Sequence, residues 1–371
     1  MRKVHIITGF LFITLLGLGA WISSHRILWN DEYYSLVSSV TNTSYSKILS
    51  GGVSEGNNSP LFYALLKLQC DVFSYHPPKP WMDGHWGGVY VFDQFFLRIQ
   101  SVIFMSAALC ALFFYFYRRN SLLIGLYALA VTLTSSLFWF HWTEARPYAE
   151  WFALTTFQIL ILLNMLESPM DKEKKAWVYL GFIHCLLAFI SFISSIQILA
   201  AGIVLGIFHR CRPSRMIPLV LVPLGICIFY YLHAAHYPFF FVDGPVSLIS
   251  ANVPKERLFI ILMAAAILAF QGGRKGWAAS VENKYLIFFI LMLGAYGLVL
   301  LKLKYTHVVG WKGFQVSSRY FLSLLPAGIV GTVLFSDYFV RAYPGKIWKV
   351  VAVVILLCFL IFRFHKTSFL F

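Results

Sequence analysis

Two adjacent carboxylates follow the first hydrophobic stretch of the chain. Asp31 and Glu32 lie in segment 27–36, ILWNDEYYSL, in a protein of which only 12% of the residues are charged. Acids that are this scarce, and that stand where a membrane helix meets water, indicate chemistry at that surface. We predict that Asp31, supported by Glu32, takes a proton from a hydroxyl group. The alternative is that Asn30 or Asp31 caps a surface helix.

A second polar group lies in segment 140–149, FHWTEARPYA. Pro147 favours the start of a helix, which places Arg146 just before an amino terminus where backbone N–H groups also favour an anion. We therefore predict that Arg146 binds a phosphate. The supporting candidates of this segment are His141, Glu144 and Tyr148. The alternative is a local pair between Glu144 and Arg146 within an aromatic belt.

A third segment, 302–321, carries four Lys or Arg residues and no acid. Such a basic stretch on the outward side runs against the usual charge bias of membrane proteins, so we predict that it binds an anion. The candidates are Lys304 and Arg319 with Tyr320 in support, together with Arg98 at the start of the second apolar run. The alternative for Lys302 and Arg319 is snorkelling at the ends of spans.

No cysteine or histidine spacing matches a standard metal site. The side chains that leave a divalent metal open as an alternative are His76, His85, His141, His236, His307, Asp83 and Asp243. We predict no resident cofactor and keep a divalent metal as that alternative.

The elements that position these residues must be membrane helices. The chain is 59% hydrophobic and 18% aromatic, with a mean hydropathy of +0.73, which is typical of an all-α polytopic membrane protein. Apolar runs near the ~20 residues that span a bilayer predict roughly eleven transmembrane helices. They lie at 4–22, 95–117, 121–140, 149–166, 176–195, 196–208, 216–233, 257–271, 285–303, 319–335 and 348–362.

The basic residues predict the orientation of these spans. They cluster at 2–3, 118–119, 172–175, 210–215, 274–275 and 341–349. The positive-inside rule makes these loops cytoplasmic, and it explains the net charge of +15 without nucleic-acid binding. The segments left facing outward are 23–94, 141–148, 234–256 and 304–318, and they hold the candidate residues. We expect a multi-pass protein of the cytoplasmic (inner) membrane whose active site faces outward.

The first outward segment, 23–94, is predicted to carry short surface helices at 31–40 and 61–72. The second helix follows Asn58-Ser59-Pro60, in which a capping side chain precedes a proline suited to the first helical position. Residues 75–86 are predicted to form an ordered loop. We expect residues 1–371 to form a single membrane domain without a separate water-soluble domain.

The outward location limits the possible chemistry. Nucleotide-activated donors are absent there, so a transferase would need a donor delivered by the membrane, such as a lipid phosphate. The candidate residues suit this donor, because a carboxylate can deprotonate the acceptor and cations can hold the leaving phosphate.

Five segments, in this order, resemble the GT-C superfamily of integral-membrane glycosyltransferases, in the branch that contains protein O-mannosyltransferases and lipid A aminoarabinose transferases. They are 29–36 (WNDEYYSL), 58–66 (NSPLFYALL), 96–101 (FLRIQS), 144–148 (EARPY) and 318–321 (SRYF) with Pro326. The resemblance implies a GT-C fold, a polyprenyl-phosphate sugar donor, and Asp31 as catalytic base with Glu32 in support. The acceptor is left open as a lipid, a glycan or a protein, and we expect inversion at the anomeric carbon.

Two other classes are kept as alternatives. A transporter or flippase for lipid-linked sugars would place ionisable groups within its spans, and these spans contain few near their centres. A glycan polymerase or ligase would share the lipid-linked donor but would transfer an assembled chain from a diphosphate.

Overall fold

The structure is a computed structural model that describes residues 2–53, 60–78, 81, 91–167, 174–209, 213–233, 239–241, 245–262, 280–305, 314–316, 318–342, 354, 357, 358 and 361. The predicted cap at Asn58-Ser59, most of the loop at 75–86 and most of the predicted span at 348–362 lie outside these residues.

The described chain is built almost entirely from helices. In order they are α1 (Arg2–His25), α2 (Asn30–Tyr34), α3 (Tyr45–Leu49), α4 (Pro60–Val72), α5 (Val91–Arg119), α6 (Leu122–Leu133), α7 (Ser136–Trp142), α8 (Tyr148–Glu167), α9 (Lys174–Ile190), α10 (Ser195–His209), α11 (Pro213–Met216), α12 (Val222–His233), α13 (Pro245–Asn252), α14 (Val281–Tyr305) and α15 (Leu324–Ala342). π-Helical turns at Ser35–Val40 and Ile217–Leu221 continue α2 and α11, and 3₁₀ turns at Phe192–Ser194 and Ser318–Phe321 precede α10 and α15.

Several helices are suited to crossing a membrane. Within the described residues, 5 helices are long and apolar enough, at Lys3–His25, Val91–Arg119, Tyr148–Glu167, Ser214–His233 and Val281–Leu300. Shorter apolar helices lie at Lys175–Ile190, Phe192–Phe208 and Leu324–Tyr338. The α-helical membrane character predicted from the sequence is confirmed, whereas the number of eleven spans and the GT-C fold stay predictions.

The expected single span at 121–140 is not a straight helix. Its two halves, α6 and α7, meet at an angle of 80°. Trp139 Nε1 donates to the carbonyl of Leu133 at 2.7 Å, and Arg257 Nη2 donates to that of Val131 at 2.7 Å. A helix can break within a membrane only where its freed backbone groups find such partners. Hydropathy alone does not reveal them.

One short sheet accompanies the helices. Phe239–Phe241 and Phe314–Val316 form a two-stranded parallel sheet, with Phe239 opposite Phe314. Both strands lie in segments predicted to face outward, where the bilayer does not require the backbone to be helical. The rest of the described fold is helices, turns and connecting segments.

The centre of the fold is α5, which packs against α1, α6 and α8. The approach of α1 depends on Gly19, because a Cβ atom at this position would lie 2.7 Å from Val102 Cγ1 and 3.0 Å from Trp142 Nε1. Small residues allow such close contacts between membrane helices. The glycine thus lets the first span sit directly against the fifth helix and the end of α7.

One end of the bundle is closed by ion pairs that we call the Arg119 network. Arg119 lies 2.9 Å from Glu167 and 3.6 Å from Glu282, and Arg341 lies 3.2 Å from Glu282 and 2.8 Å from Asp337. These side chains come from α5, α8, α14 and α15. The network therefore ties four helices together at the end that the positive-inside rule assigns to the cytoplasm.

Candidate active site

The two adjacent carboxylates have different surroundings. Successive side chains of a helix point about 100° apart around its axis. Glu32 turns into the protein and is 1% exposed, whereas the Asp31 side chain is 37% exposed. The pair that looks equivalent in the sequence therefore consists of one buried and one accessible acid.

Glu32 forms a buried ion pair with Arg98. Arg98 Nε donates to Glu32 Oε1 at 2.8 Å and Nη2 donates to Oε2 at 2.6 Å, and both side chains are fully buried. The guanidinium also donates to the carbonyls of Ser23, Arg26 and Ile27. These contacts use all five donors of an arginine. Arg98 thus belongs to the scaffold and has no donor left for the phosphate that we expected it to bind.

Glu32 also holds two backbone groups. It accepts a hydrogen bond from Trp29 N at 3.0 Å, which is one half of a capping box, and another from Ala145 N at 2.6 Å. The capping role considered for Asn30 or Asp31 is therefore performed by Glu32. Its second contact fastens the turn before α8 to the start of α2.

Arg146 comes from that turn. The helix that follows begins at Tyr148, directly after Pro147, as the sequence predicts. Arg146 Nη1 donates to Ser35 Oγ at 2.6 Å and to the Asp31 carbonyl at 3.3 Å, while Nη2 lies 3.9 Å from Asp31 Oδ2. These contacts hold the guanidinium beside the accessible carboxylate.

Arg319 comes from the 3₁₀ turn before α15. Its Nη1 donates to Asp31 Oδ2 at 3.0 Å, and its guanidinium lies 5.7–5.8 Å from the ring centres of Trp29, Tyr148 and Tyr320. Burial is the largest single effect and lowers the pKa of Arg319, but interactions with Tyr148, Tyr320 and Asp31 together raise this pKa above its ordinary value. Arg319 therefore stays charged.

We call Asp31, Arg146 and Arg319 the Asp31 cluster. Arg146 and Arg319 lie 115 and 288 residues from Asp31 along the chain, yet both guanidiniums reach it. Two cations face one carboxylate, and the side chains of Asp31 and Arg319 are 37% and 20% exposed. The exposed part of the cluster is open to a ligand, and arginines are suited to planar or bidentate contacts with an oxyanion.

A polar layer lies next to the cluster. His141 Nδ1 lies 2.7 Å from Glu144 Oε2, and the His141 ring packs against Tyr148 at 4.8 Å between ring centres. Within the described residues, His141 Nε2, Glu144 Oε1 and the Tyr148 hydroxyl are buried without a hydrogen-bond partner. The local Glu144–Arg146 pair that we kept as an alternative is not formed, because Glu144 pairs with His141 instead. These atoms leave hydrogen-bonding capacity beside the cluster.

The structure gives less detail on the remaining candidate residues. Tyr320 is 9% exposed and packs beside Arg319. Lys304 is the penultimate residue of α14, and its side chain lies outside the described part of the structure. His76 is exposed after α4.

Two residues of this region were not predicted from the sequence. Ser35 contacts Arg146, and its position four residues after Asp31 on the same helical face was the available signal. Glu150 is 0% exposed in α8, and neither carboxylate oxygen has a hydrogen-bond partner among the described residues. The sequence feature that could have identified Glu150 is the presence of an acid inside the predicted span 149–166.

No three His, Cys, Asp or Glu side chains of the described residues are grouped as metal ligands. The other residues that kept a divalent metal open, namely His85, His236, His307, Asp83 and Asp243, lie outside this part of the chain.

No protein-family model matches the sequence, and no curated protein matches it either.

Proposed function

We propose that this protein is a membrane glycosyltransferase that moves one sugar from a polyprenyl-phosphate carrier to a hydroxyl of a lipid, a glycan or a protein on the outer face of the cytoplasmic membrane. The supporting observation is the Asp31 cluster, in which an accessible carboxylate stands 3.0 Å from Arg319 Nη1 and 3.9 Å from Arg146 Nη2. It combines a base with cations for a phosphate, as this reaction requires.

In the proposed reaction Asp31 accepts the proton of the acceptor hydroxyl. The acceptor oxygen forms a bond with the anomeric carbon while the bond from that carbon to the phosphate oxygen breaks, and the electron pair leaves with polyprenyl phosphate. A single displacement inverts the anomeric centre. A positioned base of this type contributes about 10²–10⁴ to the rate.

Arg146 and Arg319 would neutralise the leaving phosphate. Arg319 is the more accessible of the two, with its side chain 20% exposed against 6% for Arg146. A donor phosphate would compete with Asp31 for the Arg319 guanidinium, since charge-assisted hydrogen bonds to phosphate are strong. Donor binding would then release the Asp31 carboxylate to accept a proton.

Glu32 takes a positioning role in this proposal. Its bonds to Arg98 and to Ala145 N hold α2 against the turn that carries Arg146. The distance between base and cation thus depends on a residue that does not contact substrate. His141, which pairs with Glu144, packs against the Tyr148 ring and would hold this ring beside both arginines.

The test compares purified wild type with Asp31→Asn. Each is incubated with a panel of polyprenyl-phosphate sugars and an extract of membrane lipids and glycans, and products are identified by mass spectrometry. We expect Asp31→Asn to lower sugar transfer by about 10²–10⁴. The matched control is Asp71→Asn, because Asp71 is a half-exposed carboxylate on α4 that pairs with Lys67 outside the cluster. Equal transfer by wild type and Asp31→Asn would remove Asp31 as the base.

One observation favours the transporter alternative. Glu150 is a fully buried carboxyl in the first turn of α8, a helix long and apolar enough to cross a membrane, and intramembrane acids commonly mark transport pathways. If purified protein moves donors across reconstituted vesicles without releasing polyprenyl phosphate, and Glu150→Gln stops this movement, the transporter replaces the transferase. Sugar transfer that survives Glu150→Gln would support the transferase.

A further inference from the structure

A groove of about 800 Å³ lies between α5, α8 and α9, near the Arg119 end of the bundle. It is distant in the fold from the Asp31 cluster, because Asp31 lies beside the beginnings of α5 and α8 whereas the groove lies toward their ends. Volumes of this size are typical of sites for small molecules.

The walls formed by α5 and α8 change from apolar to polar in the same direction. On α5 the lining passes from Phe114 to Arg118, and on α8 it passes from Phe157 to Asn164. Arg118 and Asn164 are both exposed. The two helices therefore offer aromatic rings toward the middle of the bundle and polar side chains at its end.

The third wall follows the same gradient. Phe182 lies deeper in the groove and Tyr179 lies nearer the Arg119 end. Lys175 is exposed one turn before Tyr179, and residues four apart share a helix face. A second exposed cation thus lies one turn before Tyr179, on the helix face that Tyr179 presents to the groove.

The length of the groove matches one leaflet of a bilayer. Its lining on α8 runs from Phe157 to Glu167, and ten residues of helix measure about 15 Å. The hydrocarbon core of a bilayer is about 30 Å thick, so one leaflet contributes about half of that. A chain lying in the groove would reach from the membrane surface to the midplane.

Among the described residues, the mouth carries exposed cations in addition to an ion pair. Glu167, the acid of the lining, lies 2.9 Å from Arg119, which is also part of the lining. Arg118 and Lys175 are the exposed cations beyond this pair. An anionic headgroup would complement both the charge and the polar end of the walls.

We propose that this groove binds an anionic phospholipid of the leaflet at the Arg119 end. The acyl chain lies against Phe114, Phe157 and Phe182, and the phosphate contacts Arg118 and Lys175. The site does not depend on the proposed sugar transfer. It would hold a structural lipid that fills the space between three spans.

The test is a lipid titration of the purified full chain in detergent, read by native mass spectrometry. Phosphatidylglycerol and phosphatidylcholine with the same acyl chains serve as anionic and zwitterionic probes. We expect tighter binding of phosphatidylglycerol, and a loss of about fivefold in its affinity for each cation removed in Arg118→Gln and Lys175→Gln. Phosphatidylcholine binding should change little in these variants.

Two further variants separate the site from general charge effects. Lys3→Gln removes an exposed cation from the start of α1, at the same end but outside the groove, and should leave phosphatidylglycerol binding unchanged. Ala111→Trp fills the groove while keeping both cations, and should weaken binding of both lipids. Equal affinity of the wild type for the two lipids, or an equal loss in Lys3→Gln, would overturn the proposal.

Discussion

The Asp31 cluster and the Arg119 network are built from the same residue types, arginines and carboxylates, but have different roles. In the Asp31 cluster two arginines surround one carboxylate whose side chain is 37% exposed. In the Arg119 network three carboxylates share two arginines, and the central acid, Glu282, is only 7% exposed. A cluster with an accessible carboxylate and an accessible cation can bind a ligand, whereas one in which each arginine bridges two acids holds helices together.

The Glu32–Arg98 pair shows how close a structural ion pair can lie to an accessible one. Glu32 is the neighbour of Asp31 in the sequence, yet its pair is fully buried and resembles the Arg119 network in role. One turn of helix therefore contains a residue for the scaffold and a residue for the proposed chemistry.

The largest effect on stability should follow loss of the buried pair. Arg98→Met leaves the Glu32 carboxylate buried without its cation, and breaking such a pair costs about 3–5 kcal/mol. The free energy of unfolding in detergent, followed by helical circular dichroism, measures this cost. The double variant Glu32→Leu with Arg98→Met should recover part of it, because it removes both charges. A single variant as stable as wild type would place the pair among the dispensable contacts.

The next largest effect concerns Arg319, whose loss should affect activity more than stability. Arg319→Gln should lower kcat/KM for sugar transfer by about 10²–10³, or about 3–4 kcal/mol, because it removes a cation from the developing phosphate charge. Its unfolding free energy should change far less, since the side chain is 20% exposed. Arg319→Lys keeps the positive charge but loses the planar guanidinium that can make two parallel hydrogen bonds, so its activity should lie between those of Arg319→Gln and the wild type. Unchanged sugar transfer in Arg319→Gln would show that Arg319 does not bind the donor phosphate.

A smaller effect is expected at the opposite end. Glu282→Gln removes the acid shared by Arg119 and Arg341, but each arginine keeps another acid, Glu167 or Asp337. We expect a loss of about 1–2 kcal/mol in unfolding free energy and normal kcat/KM for transfer. A strong loss of sugar transfer with intact stability would show that the Arg119 network takes part in function, and it would contradict the purely structural role given to it here.

The smallest effect concerns the edge of that network. The Arg341 side chain is 55% exposed, so Arg341→Gln should cost less than about 1 kcal/mol. The difference from wild type should shrink further when the salt concentration is raised, because salt screens exposed charges. Thermal unfolding at two salt concentrations checks this. A cost equal to that of Glu282→Gln would mean that Arg341 is held more firmly than its exposure indicates.

Local patterns in the sequence predicted the elements around the site. Short helices were expected at 31–40 and 61–72, and the structure has helical segments at Asn30–Val40 and Pro60–Val72, whereas their location on the membrane surface stays a prediction. The position of Arg146 just before a helix led by Pro147 was also predicted. These features depend on residues close together in the chain, so a short segment contains the information.

The division of roles among the arginines could not be predicted in this way. Arg98 and Arg319 both stand near the outward end of an apolar run, and both occur in motif-like segments. Their difference arises because the carbonyls of Ser23, Arg26 and Ile27 surround one of them and not the other. Such contacts exist only after the helices have packed.

The same reason explains the bend between α6 and α7. Hydropathy over 121–140 indicates one apolar run, but the break depends on Arg257, which donates to a carbonyl 126 residues earlier in the chain. The partner that permits the break belongs to a different segment.

The order in which the chain is made gives the long separation within the Asp31 cluster a further meaning. Arg319 follows Asp31 by 288 residues, which at about 5–20 residues per second corresponds to roughly 15–60 s of synthesis. During that interval the growing chain already contains the acid but not yet the arginine that completes the cluster. A prematurely terminated chain would thus be inserted but inert, so that the proposed activity appears only with nearly finished molecules.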